Sequence, residues 1–211
     1  MADLTALHKA IINGDLKAAV AATKEALAAQ VDPLVLVTDH MVPAMDEVGK
    51  RFECEEYFVP ELLLSARAMK GALELLRPLL VASGAEPAGR VVIGTVKGDL
   101  HDIGKNLVAS MLEGGGFEVI DLGADVAPEK FAQAVKERGA NIVCLSALLT
   151  VTMPSMKTTI EALKQAGVRD RAKVLIGGAP VTQQYADEIG ADGYGQSATA
   201  AVQLARELTA R

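Results

Sequence analysis

A change of hydrophobic rhythm about 85 residues into the chain constrains its fold more than any other feature. Up to about Ala82, apolar residues recur at steps of three and four, the spacing that gathers them on one face of a helix. Beyond Gly89, short β-branched runs alternate with stretches of helical period. Between the two lies Ser83-Gly84-Ala85-Glu86-Pro87-Ala88-Gly89, which has no periodicity and collects small, turn-forming residues. The reading is therefore two domains, 1–82 and 90–211, joined by a linker at 83–89. The 211 residues, half of them apolar, supply enough material for both cores.

Four helices are predicted in the first domain. Asn13-Gly14 ends the first, and Asp15 caps a second that reaches about Gln30. Asp32-Pro33 joins a capping side chain to a proline at the first helical position and opens a third helix to about Arg51. Pro43 should kink or interrupt it. A fourth starts near Pro60 and carries Leu62, Ala66, Met69, Leu73 and Leu76 on one face, so the short connections suggest a four-helix bundle. In the second domain, strands are predicted at Arg90–Val96, Phe117–Leu122, Asn141–Leu145, Ala172–Ile176 and, weakly, Ala191–Tyr194. Helical stretches separate and follow them, which calls for right-handed crossovers and a parallel sheet covered on both faces. The class is α/β, a doubly wound, flavodoxin-like (Rossmann-like) five-stranded parallel sheet behind a helical cap. Such sheets bind ligands at the carboxyl ends of their strands.

Composition removes several functions. The net charge is −6 and no run of Lys or Arg forms a basic stripe, so nucleic acid is not an expected partner. Cys54 and Cys144 make no CxxC pair, which argues against a disulfide framework or a structural zinc site. No apolar run approaches the roughly 20 residues of a bilayer span, and Met1-Ala2-Asp3-Leu4 lacks the basic head of a signal peptide. A reduced, cytoplasmic protein without a membrane partner is expected.

Three loops at the binding edge carry chemistry. After the first strand comes Lys97-Gly98-Asp99-Leu100-His101-Asp102-Ile103-Gly104. Two residues apart in a loop, Asp99 can take the Nδ1 proton of His101 and leave Nε2 as a lone pair, the way proteins orient a metal-ligating imidazole. Gly104 permits close approach of a large ligand to the backbone. After the third strand, Ser146-Ala147-Leu148-Leu149-Thr150-Val151-Thr152 clusters small hydroxyls, and Gly177-Gly178 after the fourth would open a slot for something long and flat. Taken singly, each has a plain structural explanation: a solvated histidine, helix caps, a tight turn. Together they describe a deep cleft with a single metal ligand.

The combination Asp99-x-His101-x-x-Gly104, Ser146-x-Leu148 and Gly177-Gly178 resembles the fingerprint of the cobalamin-binding module of methionine synthase and of the corrinoid proteins of methyltransferase systems. The resemblance implies a base-off/His-on cobalamin. Its nucleotide tail would leave cobalt for the slot, His101 would ligate the metal, Asp99 would hold the other ring nitrogen, and Thr152 would complete the relay. It implies further that Asp102, Ile103 and Gly104 contact the cofactor, that Ser146, Leu148 and Thr150 line the tail pocket, and that Gly177 and Gly178 sit beside the nucleotide. Asp192-Gly193-Tyr194 would close over the tail. Gly49 to Glu61 is similar to the helical segment that covers the upper face of the corrin, with Phe52 and Val59 at the shielding positions.

By that resemblance the chain is a carrier subunit rather than a complete enzyme. It would accept a methyl group on Co(I) from a substrate-specific methyltransferase and deliver it from methyl-Co(III) to an acceptor methyltransferase acting on tetrahydrofolate or a thiol. A reductive activation protein would be a further partner. Methylamines, methanol, betaines and aryl methyl ethers are the implied donors. The cap would have to swing aside about the linker. Two rival readings use the same loops, a cobalamin-dependent sensor and the corrinoid subunit of a mutase. The first needs an output element and the second usually lacks the helical cap. His8 and His40 have no ligand-spaced partners, and Cys144 reads as a core residue.

Overall fold

The computed structural model describes residues 4–209. It divides into two compact units: one runs to Pro87 and takes in Glu113–Gly116, and the other holds Ala88–Leu112 and continues from Phe117. Among the described residues, no helix is long and apolar enough to cross a membrane.

The helical unit is built from α1 (Leu4–Ile12), α2 (Leu16–Ala28), α3 (Pro33–Val35), α4 (Val42–Glu53) and α5 (Val59–Ala82). Local chemistry sets the starts. The Asp15 carboxylate accepts from the Ala18 amide at 2.9 Å and the Asp32 carboxylate from the Leu34 amide at 2.8 Å, each satisfying a donor that the first turn leaves open. Glu61 reaches back to the Phe58 amide at 2.9 Å to open α5. Pro43 does not break its helix. α3 and α4 are joined without interruption by a π-helical segment, Leu36–Met41, in which the Val42 amide donates to the Val37 carbonyl five residues back. A wider turn just before a residue with no N–H and a bulky ring keeps the rod continuous where an α-turn would clash. Leu7, Ile11, Met45, Leu62, Met69 and Leu76 fill this unit's core.

The sheet unit alternates β1 (Arg90–Thr95), α6 (Ile103–Gly114), β2 (Glu118–Asp121), α7 (Pro128–Arg138), β3 (Ile142–Ser146), α8 (Pro154–Gln165), β4 (Lys173–Gly177), α9 (Gln183–Ile189), β5 (Gly193–Tyr194) and α10 (Ala198–Thr209). Its strands are all parallel in the order β2-β1-β3-β4-β5, so the order reverses between β1 and β3. That is the doubly wound, flavodoxin-like arrangement, and it places the ligand edge at the ends of β1 and β3. Val92, Val143, Leu145, Val174 and Ile176 pack on one face with Phe131 of α7 and Ile160 of α8. β5 is two residues rather than four because Asp192 bonds Val174 twice, amide to carbonyl at 2.7 Å and carboxylate to amide at 2.8 Å, which ends the ladder.

Candidate cofactor site

At the carboxyl end of β1 the chain turns through Gly98, whose φ of 86° suits glycine, and buries the Asp99 side chain completely. Every approach to that carboxylate is a donor. Oδ1 accepts from the His101 amide at 3.1 Å and from His101 Nδ1 at 2.8 Å. Oδ2 accepts from the Leu148 amide at 2.8 Å, the Leu149 amide at 3.2 Å and Thr152 Oγ1 at 2.7 Å. Burial by itself pushes the carboxyl up, but the Thr152 hydroxyl, the amide and ring of His101 and the Leu148 amide outweigh it and hold Asp99 well below the usual carboxylate range. An ionised Asp99 keeps the His101 proton on Nδ1. Nε2 is left with its lone pair on a ring that is half exposed.

The loop is braced from below and from the side. Thr95 at the end of β1, fully buried, donates its hydroxyl to the His101 carbonyl at 3.0 Å. Asp125, from the loop after β2, donates its amide to the Asp99 carbonyl at 2.9 Å and accepts from the Gly98 amide at 2.8 Å. It does so with a φ of 51°, a conformation costly for a residue with a Cβ and found where surrounding contacts compel it.

At the same sheet edge lies a cavity of about 330 Å3, entirely within the sheet unit. Ser146, Gly177 and Gly104 line it, together with Cys144, Leu175 and Ala201. A Cβ built on Gly104 would meet nothing within 4 Å, so its missing side chain leaves room that the protein itself does not fill. The loops that carry His101 and Thr152 also expose Leu100, Ile103 and Val151 at 75%, 81% and 81%. Apolar side chains that exposed, beside an oriented imidazole, form a platform for a large apolar ligand.

Known proteins narrow the ligand. Two family models match, each described as a B12 binding domain, over residues 4–77 and 89–203. The trimethylamine corrinoid protein 1 of Methanosarcina acetivorans is 45% identical over 94% of this chain and 93% of its own length. A cobalamin-binding protein from Desulfitobacterium hafniense DCB-2 superimposes with a TM-score of 0.80 at 35% identity, covering 99% of each chain. The methanol:cobalamin methyltransferase complex MtaBC from Methanosarcina barkeri gives 0.84 at 32% identity, over 98% of this chain and 79% of that one.

This chain is a corrinoid protein of the methyltransferase systems.

The residues present fit such a cofactor. Among the described residues no group of three or more His, Cys, Asp or Glu side chains is placed to hold a bare metal ion. A single imidazole is the donor set for a metal whose other positions a macrocycle already fills. In this corrinoid protein Asp99, His101 and Thr152 come together at one point, and Asp102, Ile103 and Gly104 stand exposed where α6 begins. Tyr194 lines the cavity, whereas Asp192 is paired with Arg169 at 2.7 Å, so only part of that expected closing loop faces the slot.

Two expected pocket residues are placed elsewhere. Neither Leu148 nor Thr150 lines the cavity; both are exposed, and the Leu148 amide is committed to Asp99. Gly178 does line the cavity, beside Gly177, and has a packing reason to be glycine as well. A Cβ there would lie 1.9 Å from the Ala147 carbonyl oxygen, so glycine permits the close approach of two loops. The two amide bonds to Asp99, the Thr95 and Asp125 braces and the cavity floor carry no sequence signal, because each depends on strand register. Phe52 and Val59 belong to the helical unit, half-buried and 40% exposed respectively.

Proposed function

We propose that this chain is a methyl carrier that binds its corrinoid base-off, with His101 as the lower axial ligand and the nucleotide tail in the cavity. The carrying observation is the fully buried Asp99 that holds His101 by Nδ1 and leaves Nε2 on the outer side of a half-exposed ring, at the sheet edge that also carries the cavity. A bound corrinoid would supply a cobalt centre able to take up a methyl group when reduced and release it afterwards.

The chain's own residues would handle the proton. His101 Nε2 would hold the metal, and when not so engaged it would be open to a proton, with the Asp99 carboxylate, itself held by Thr152, against the other ring nitrogen. The Asp99–His101–Thr152 cluster would thus couple metal ligation to protonation at one nitrogen. Phe52 and Val59 would shield the methyl group, and the helical unit would move about residues 83–89 to admit a methyltransferase. Residues 83, 84, 86 and 88 are exposed, which supports a hinge there.

Two methyltransferases would be partners, one specific for the donor and one that acts on an acceptor such as tetrahydrofolate or a thiol; a reductive activation protein would restore oxidised cofactor. The MtaBC complex supports the first of these. Identity of 45% to a trimethylamine corrinoid protein, against 32% to the methanol system, supports a methylated amine as donor. Two free cysteines, Cys54 and Cys144, support a cytoplasmic setting.

The test is spectroscopic. Apoprotein mixed with hydroxocobalamin should give a base-off spectrum with a nitrogen axial ligand. His101→Ala should retain corrinoid but lose that nitrogen by EPR. An unchanged spectrum in the variant refutes the assignment. Methyl acceptance after reduction is then compared for trimethylamine, dimethylamine and methanol with their methyltransferases, and methanol alone as donor would overturn the amine reading.

A further inference from the structure

The cavity is chemically graded, and the strand register shows how. Side chains two residues apart share a face of a strand, so the parallel register stacks them into rows. Nearest the carboxyl edge the row is Thr95, Ser146 and Gly177. One step deeper it is Ile93, Cys144, Leu175 and Gly193. Leu107 and Val108 of α6 and Ala198 and Ala201 of α10 cover this face. Of the polar residues that line the cavity, Ser146, Gln196, Ser197 and Lys105 belong to strand ends, loops or a first helical turn at the carboxyl edge, and Tyr194, at the end of β5, packs against the core on the other face of the sheet.

We infer that this gradient selects the lower base of the corrinoid, favouring benzimidazole over purine. The inference rests on the proposal that the nucleotide tail enters the cavity. A tail entering from the edge would leave its phosphodiester and ribose among the polar groups and carry its base to the row of Ile93, Cys144 and Leu175. Benzimidazole off the metal presents one unprotonated ring nitrogen. Adenine brings two further ring nitrogens and an exocyclic amine. The floor offers them two aliphatic side chains and one thiol, which burial pushes up to about 12 and so keeps as a weak S–H donor. That donor can serve a single acceptor. Each further polar atom would be buried without a partner, at a cost on the order of tenfold in affinity.

The test compares dissociation constants of the full-length apoprotein for hydroxocobalamin, its adenine-base counterpart and the tail-less cobinamide, read from visible spectra and equilibrium dialysis. Cobalamin should bind about tenfold or more tighter than the adenine form. Cys144→Ser adds a hydroxyl that can both donate and accept, and should narrow that gap about threefold or more, whereas Cys144→Ala keeps it. Cobinamide affinity should not move in either variant. Equal affinity for the two cobamides overturns the inference, as does an unchanged gap in a folded Cys144→Ser protein. If that variant does not fold, the wild-type comparison decides alone. Failure of the underlying reading looks different: cobinamide would bind as tightly as cobalamin, or no corrinoid would bind.

Discussion

Asp99 illustrates how a buried charge is tolerated. Its carboxylate gathers five donors from two loops, and removing the charge leaves three backbone amides, a hydroxyl and a ring N–H poorly matched. Asp99→Asn should therefore cost about 2–4 kcal/mol in urea denaturation at pH 7. The pH dependence follows from the direction of its shift. The folded-state pKa lies below the ordinary 3.8, so the stabilisation is complete above that value and drains away as pH falls toward the folded pKa. The advantage of wild type over Asp99→Asn should begin to shrink below about pH 4 and keep shrinking as pH falls further, and an advantage as large at about pH 3 as at pH 7 would contradict the geometry. The two thiols should separate as clearly. Cys54 is exposed and Cys144 buried, its thiol pushed up to about 12, so a disulfide reagent at pH 8 should titrate one thiol in the native protein and both in urea.

At the scale of elements, two glycines that look alike in the sequence do different work. Gly104 lies in the first turn of α6 with open space where its Cβ would be. Gly104→Ala should stabilise the apoprotein by about 0.5–1 kcal/mol through helix propensity, yet weaken corrinoid uptake about tenfold or more, because the methyl group enters space reserved for ligand. Gly178 has a φ of 135° and a virtual Cβ 1.9 Å from the Ala147 carbonyl oxygen. Gly178→Ala should destabilise by about 2–4 kcal/mol whether or not ligand is present. Thermal melts of both variants with and without hydroxocobalamin separate the two roles. The π-helical segment before Pro43 belongs to this scale as well, a local widening that keeps one long rod where proline would otherwise end it.

For the whole molecule, labour is divided between the units. The sheet unit holds His101, the residues that orient it and the entire cavity, while Phe52 and Val59 belong to the helical unit. Proteolysis confined to the exposed stretch between Ser83 and Ala88 should release a sheet fragment that keeps its corrinoid and His101 ligation. A fragment that loses the cofactor on gel filtration would show that the helical unit helps to retain it. Crosslinking the two units should slow methyl transfer to a partner enzyme, and transfer at full speed would rule out the hinge.

How much of this was legible beforehand depends on the range of the interaction. The switch of period at 83–89, the caps Asp15 and Asp32, the alternation that demands a parallel sheet and the Asp99–His101 pair are all local: each needs only residues a few positions apart. The sequence by itself therefore determined the two-part plan and the loop that pairs Asp99 with His101. Thr152 could be tied to Asp99 only through family resemblance, since 53 positions separate them. Tertiary structure alone decided that Leu148 and Leu149 turn their amides to Asp99, that Thr95 and Asp125 lock the loop, and that the core residue Cys144 also lines the cavity. Those contacts follow from the register of β1 against β3 and β4, and register is a property of strands pairing across the sheet, which no single segment of chain contains.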